Sequence, residues 1–152
     1  MATVTNDQLA ALQAALAAEH AAVYGYGVAG AVLPAMEQGT AMTDWIGHQH
    51  ARDTLTAMIT RLGATPVPAA AAYTTPFPVT GAASARKLAA SIEEGVTRAY
   101  LGIVAVTDPA LRTFGARAMQ HPASRAAAWR GATSPFPGMT GGLPPASPPQ
   151  AG

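Results

Sequence analysis

Cysteine is absent from the 152 residues, which excludes disulfides, thiolate nucleophiles and cysteine-ligated zinc. Charge is scarce. Asp, Glu, Lys and Arg make up 11% of the chain, the formal net charge is +1, and no basic run or aromatic–basic interleaving offers a nucleic-acid surface. Aromatic residues supply only 6%, too few for a core built of rings. Long uninterrupted apolar runs are missing as well. The best stretch, Ala10–Ala35, is broken by Gln13, Glu19 and His20 and is rich in alanine, which contributes little to membrane insertion, so no membrane span is expected. The start, MATVTNDQ, has neither the basic nor the apolar region of a signal peptide. A soluble, cytoplasmic protein is the expectation.

What the chain does have is alanine, much of a 49% hydrophobic content. Alanine is the best helix former, and its small side chain lets helices approach closely. One domain of closely packed helices follows, over residues 1–131, with a Pro/Gly-rich tail over 132–152 that holds six of the thirteen prolines. Phe136 of that tail is expected to dock on the bundle.

The first helix organises the rest. At alternating steps of three and four from Leu9 come Leu12, Leu16, Glu19, Val23, Tyr26, Gly30 and Leu33, the inward seam of a bundled helix. Its one carboxylate, Glu19, sits mid-seam and needs a partner, because an unpaired buried charge costs several kcal/mol. Thr5 or Asn6 is expected to cap this helix, Asp7 suits its first turn, and Pro34 stops it after Leu33. Gly25, Gly27 and Gly30 suggest close approach of a neighbouring backbone.

A second helix ends at Leu62 with Gly63 as cap, and starts either at Asp44 or from Met36. Its seam is Trp45, His48, Arg52, Leu55, Ile59 and Leu62. The segment from Gly63 to Ser84 carries four prolines, too many for a helix or a central strand. A helix of ~25 residues is ~37 Å long, and an extended segment of this length can run back along it. Helix three therefore starts parallel to helix two, with Tyr73 and Phe77 pinning the crossover. Helix three runs from Ser84 to Thr107 and buries Leu88, Ile92, Val96, Ile103 and Val106, with Glu93 and Tyr100 at the edge of the stripe. Asp108 and Pro109 open helix four, antiparallel to helix three. That helix presents Leu111, Phe114, Ala118, His121 or Pro122, Arg125 and Trp129, and Pro122 kinks it near the middle.

The inward polar residues fall at one level: Glu19, then His48 and Arg52, then Glu93, then the stretch from Gln120 to Arg125. Tyr26 and Tyr100 face the same level and can hydrogen-bond the carboxylates. His20 and His50 are placed on the surface. No catalytic triad, phosphate loop or glycosidase carboxylate pair stands out.

The stretches AEHAAVYGYGV at 18–28, HQHARDTL at 48–55, ATPVPAAAAY at 64–73 and RAAAWRG at 125–131 resemble the ferritin-like superfamily, and more narrowly an Ala-rich bacterial ferritin-like family of unknown function. The resemblance covers residues 6–138 and implies an all-α, ferritin-like four-helix bundle with a long crossover between helices 2 and 3. Metal-binding members of the superfamily use a Glu from each of two helices and Glu-x-x-His from the other two. Glu19 and Glu93 match the single Glu positions. Three residues before His48 stands Trp45, and three before His121 stands Ala118, so two expected carboxylates are missing. No cofactor is expected. A reduced set of Glu19, His48, Glu93 and His121 for iron or manganese is the alternative. In place of ions, Arg52, Arg125 or both are expected to hold Glu19 and Glu93 in a buried network with Tyr26 and Tyr100. The expected role is structural or partner-binding, through a homodimer or an unidentified protein partner. A metal-binding oxidase or iron-handling protein is the alternative, and a small-ligand carrier with a cavity beside the polar layer is a third reading.

Overall fold

A computed structural model describes residues 5–134, 136, 137 and 139 of the chain, so most of the expected tail, 132–152, lies outside the described residues. Five helices make four rods: α1 (Asn6–Gly30), α2 (Ala35–Arg61), α3 (Ala82–Val104), and a fourth rod in two pieces, α4 (Pro109–Ala118) and α5 (Gln120–Arg130). No strand occurs among the described residues, and no helix of theirs is long and apolar enough to cross a membrane.

Side-chain pairs fix the directions of the rods. Glu19 meets His48 while Tyr26 meets Asp44, so α2 runs against α1. Tyr26 also meets Glu93 while Tyr100 meets Glu19, so α3 runs against α1 and parallel to α2. An Arg86–Glu37 pair joins the starts of α2 and α3, as parallel rods require. Tyr100 against Phe114 and Arg130 against Glu94 turn the fourth rod antiparallel to α3.

Local chemistry sets the helix ends. The Thr5 hydroxyl accepts from the Gln8 amide while the Gln8 side chain accepts from the Thr5 amide, a reciprocal cap on α1. The helix stops at Gly30, three residues before the expected Leu33. Pro34 drives the residue before it out of the helical region, and the turn that results is closed by the amides of Val32 and Leu33 on the Ala29 carbonyl. Pro34 then serves as N-cap of α2. Asp44 thus lies well inside α2 and caps nothing. Gly63 takes a left-handed φ of 77° just past the end of that helix. Ser84 is one turn inside α3, where its hydroxyl accepts from the Thr80 and Gly81 amides. Asp108 caps α4 through the Leu111 amide, with Pro109 at the first helical position.

The fourth rod breaks at Met119 because Pro122 offers no N–H to the Ala118 carbonyl and its ring collides there. The crossover, residues 62–81, is fastened to α1. The Gln13 amide group donates to the Thr65 carbonyl and accepts from the Val67 amide, and His20, partly buried instead of exposed, bonds the Val67 carbonyl. Tyr73 packs on Tyr24 with ring centroids 5.4 Å apart, and Phe77 packs against the buried cluster at its end of the bundle. Phe136 does not dock on the bundle and is 66% exposed.

Two apolar clusters fill the interior. One gathers Leu12, Leu16, Leu55, Ile59, Val96 and Ile103; the other gathers Ala29, Leu33, Ala41, Ala85, Leu88 and Ala89. The glycines of α1 differ in what surrounds them. A methyl group on Gly25 would lie 2.5 Å from Cδ1 of Ile92, so this position does need a hydrogen. The neighbour is a side chain, not a backbone. A methyl group on Gly27 or Gly30 would meet nothing within 4 Å beyond its own helix among the described residues, and close packing does not account for them. Gly27→Ala should therefore stabilise the fold by up to about 1 kcal/mol through helix propensity. Gly25→Ala must displace the Ile92 methyl and should fall about 1–3 kcal/mol below it in urea melts.

Candidate functional site

Between the two apolar clusters lies a layer of buried polar side chains. Three fully enclosed members come from three rods: Glu19 on α1, His48 on α2 and Glu93 on α3, with 1%, 1% and 0% of their surface exposed. Nδ1 of His48 is 2.7 Å from Oε2 of Glu19, and Nε2 is 3.1 Å from Oε1 of Glu93. A neutral imidazole carries one N–H and can serve one carboxylate; both are served when the ring is an imidazolium. Burial pushes His48 toward neutrality, but the hydrogen bonds and charges of Glu19 and Glu93 outweigh it and raise its pKa to about 9.

Two tyrosines complete the layer. Tyr100 donates to Oε1 of Glu19 at 2.8 Å, and Tyr26 donates to Oε1 of Glu93 at 2.6 Å. Burial, then the neighbouring carboxylate in each case, lifts both phenols above their usual range, so both stay protonated donors. Oε2 of Glu93 has no hydrogen-bond partner among the described residues.

A third carboxylate belongs to the layer. Asp44 accepts the Trp129 indole N–H at 2.9 Å, takes at 3.3 Å the longer share of the one Tyr26 proton that points to Glu93, and forms an ion pair with Arg125, whose Nε is 3.1 Å from Oδ1. Nη1 of Arg125 is 3.9 Å from Glu93, an ion pair without a hydrogen bond. The guanidinium lies across Gly47, where a methyl group would come within 2.5 Å of Nη2. Arg125 and Trp129 thereby tie α5 to α2. Asp44 carried a sequence signal in its place four residues before His48, on the same helix face.

The layer unites Glu19, Glu93, Tyr26, Tyr100 and Arg125. Arg52 is elsewhere. Its Nε donates to Asp53 at 2.9 Å on the outside of α2. One turn beyond His48 the interior becomes the apolar cluster of Leu12, Leu16 and Leu55, which offers no acceptor, and the long side chain carries its charge outward. Glu19 is held by His48 and Tyr100 instead of an arginine. His121 is exposed and lies on the rim of a cavity between α2 and the fourth rod, whose floor includes Glu19, His48 and Tyr100.

These donors do not fit the two-metal centre of the superfamily. Both ring nitrogens of His48 are committed to carboxylates, Asp44 is committed to Arg125 and Trp129, and His121 is exposed. Among the described residues no group of three or more His, Asp or Glu side chains is arranged to hold a metal ion.

Residues 11–141 match a family described as a domain of unknown function, DUF4439. No curated protein matches the chain. Among solved structures, the chain is similar to a conserved hypothetical protein from Mycobacterium tuberculosis, with 33% identity and a TM-score of 0.80 over 84% of this chain and 97% of that one.

The layer makes stability depend on pH. His48 titrates at 6.5 when unfolded and at about 9 when folded, so its contribution, on the order of 3 kcal/mol, is whole below pH 6.5. It declines as pH rises and is gone above about 9; a His48→Asn variant should lack this slope in denaturant titrations at stepped pH. Glu19→Gln, which leaves the imidazolium short of a counter-charge, should cost about 3–5 kcal/mol. Arg52→Ala should stay within about 0.5 kcal/mol of the parent in the same melts.

Proposed function

The chain belongs to the DUF4439 family, and we propose from its geometry that it is a ferritin-like bundle without a di-metal centre, acting by binding a partner or ligand and not by catalysis. The single observation that carries this reading is the His48 ring between Glu19 and Glu93, at 2.7 and 3.1 Å. In metal-binding members of the superfamily, carboxylates and histidines from facing helices converge on cations. Here a protonated histidine is itself the cation. It lies between the two inward carboxylates, offsets one of their two charges and leaves neither ring nitrogen free as a ligand, since a ligating nitrogen must be unprotonated. The remaining carboxylate, Asp44, is matched by Arg125.

The test combines metal content with the protonation of one ring. After expression in medium replete with iron and manganese, elemental analysis of the purified protein should find both far below stoichiometric. Nitrogen-15 NMR should show both ring nitrogens of His48 protonated at neutral pH. A stoichiometric metal that is lost in Glu19→Gln, or a neutral His48, would overturn the reading in favour of a metal-handling protein.

A further inference from the structure

The cavity between α2 and the fourth rod has a volume of about 320 Å³, within the range of small-ligand sites. It exists because small residues face each other there. Gly47 and Ala51 on α2 and Ala118 at the break between α4 and α5 line it, and their small side chains leave the space between the two rods unfilled.

Its chemistry is uneven. The walls are largely apolar, with Phe114 the only aromatic hydrocarbon among them. On the floor, Glu19 is paired with His48, which also faces Glu93. Arg125 brings a guanidinium to the lining. Its Nε faces Asp44, while its Nη groups make no hydrogen bond among the described residues, Nη1 being 3.9 Å from Glu93. Neither Asp44 nor Glu93 lines the cavity, so an incoming anion meets the guanidinium and not those carboxylates.

We propose that this cavity binds a small monocarboxylate with an apolar body. The carboxylate pairs with the Nη groups of Arg125, whose planar fork matches it, and the hydrocarbon lies against Phe114. A single negative charge is specified. A dianion such as a phosphate monoester would gain little more from one guanidinium whose Nε already faces Asp44. The proposal rests on the reading of the layer as metal-free, because a free Glu19 carboxylate on the floor would favour a cation instead.

Calorimetric titration of the full chain with hexanoate, hexanol and hexylamine tests it. Hexanoate should bind about tenfold or more tightly than hexanol, and hexylamine should not bind. Arg125→Gln should reduce hexanoate to the level of hexanol. Ala51→Leu fills the cavity without touching a charge and should abolish binding of both. The proposal is overturned if hexanoate does not bind, if hexanol or hexylamine equals it, or if binding survives Ala51→Leu in a folded protein. The His48 spectrum of the same sample separates the two ideas. Lost hexanoate binding with a doubly protonated ring sinks only the ligand class, whereas a neutral ring sinks the reading beneath it.

Discussion

An imidazolium enclosed between two carboxylates is the constraint on which this bundle depends. Each of its three members comes from a different rod, and each is costly to bury alone. The cost is met only when the rods bring all three together, so the layer acts as a condition on assembly more than as a source of net stability. Tyr26 and Tyr100 extend the condition by taking the carboxylate oxygens on either side of the ring. Asp44 extends it again, through Tyr26 on one side and through Arg125 and Trp129 of α5 on the other. All four rods therefore meet in one hydrogen-bonded and ion-paired group.

The surrounding architecture supports this arrangement by simple means. Alanine at many inward positions keeps the rods close enough for short side chains such as Asp44 to bridge them. Beside Gly47 and Ala51 the small side chains leave a cavity unfilled. The crossover adds no core of its own but is stitched to α1 by Gln13 and His20 and capped by the Tyr24–Tyr73 contact. A long connection held this way returns the chain to the start of α3 without disturbing the interior.

Much of the fold could be read from residue spacing, because helix periodicity states which face of each rod turns inward. Glu19, His48 and the crossover prolines were legible for that reason. The identity of partners was harder, since periodicity says nothing about which side chain stands opposite. Arg52 shares the inward seam of α2 with His48, yet one turn along that seam the facing residues change from carboxylates to leucines, and its charge leaves the interior. Asp44 looked like a helix start because acidic residues favour that position; only the extension of α2 back to Ala35 moved it inside. Glu93 and Tyr100, read at the margin of their stripe, are buried because the fourth rod packs over them as well as α1, with Phe114 of α4 on Tyr100 and Arg125 of α5 near Glu93. Glycines were ambiguous in the same way: Gly25 answers to a neighbour, and Gly27 does not.

The smoothness of alanine has a last consequence. Helices that interlock through large side chains are held against sliding by ridges seated in grooves, whereas rods faced with methyl groups offer few such stops along their length. A directional contact at one height then does what the missing ridges cannot, much as one buried polar residue sets alignment in a coiled coil. In this protein His48 works as a dowel: it fixes how far α1, α2 and α3 are advanced relative to one another.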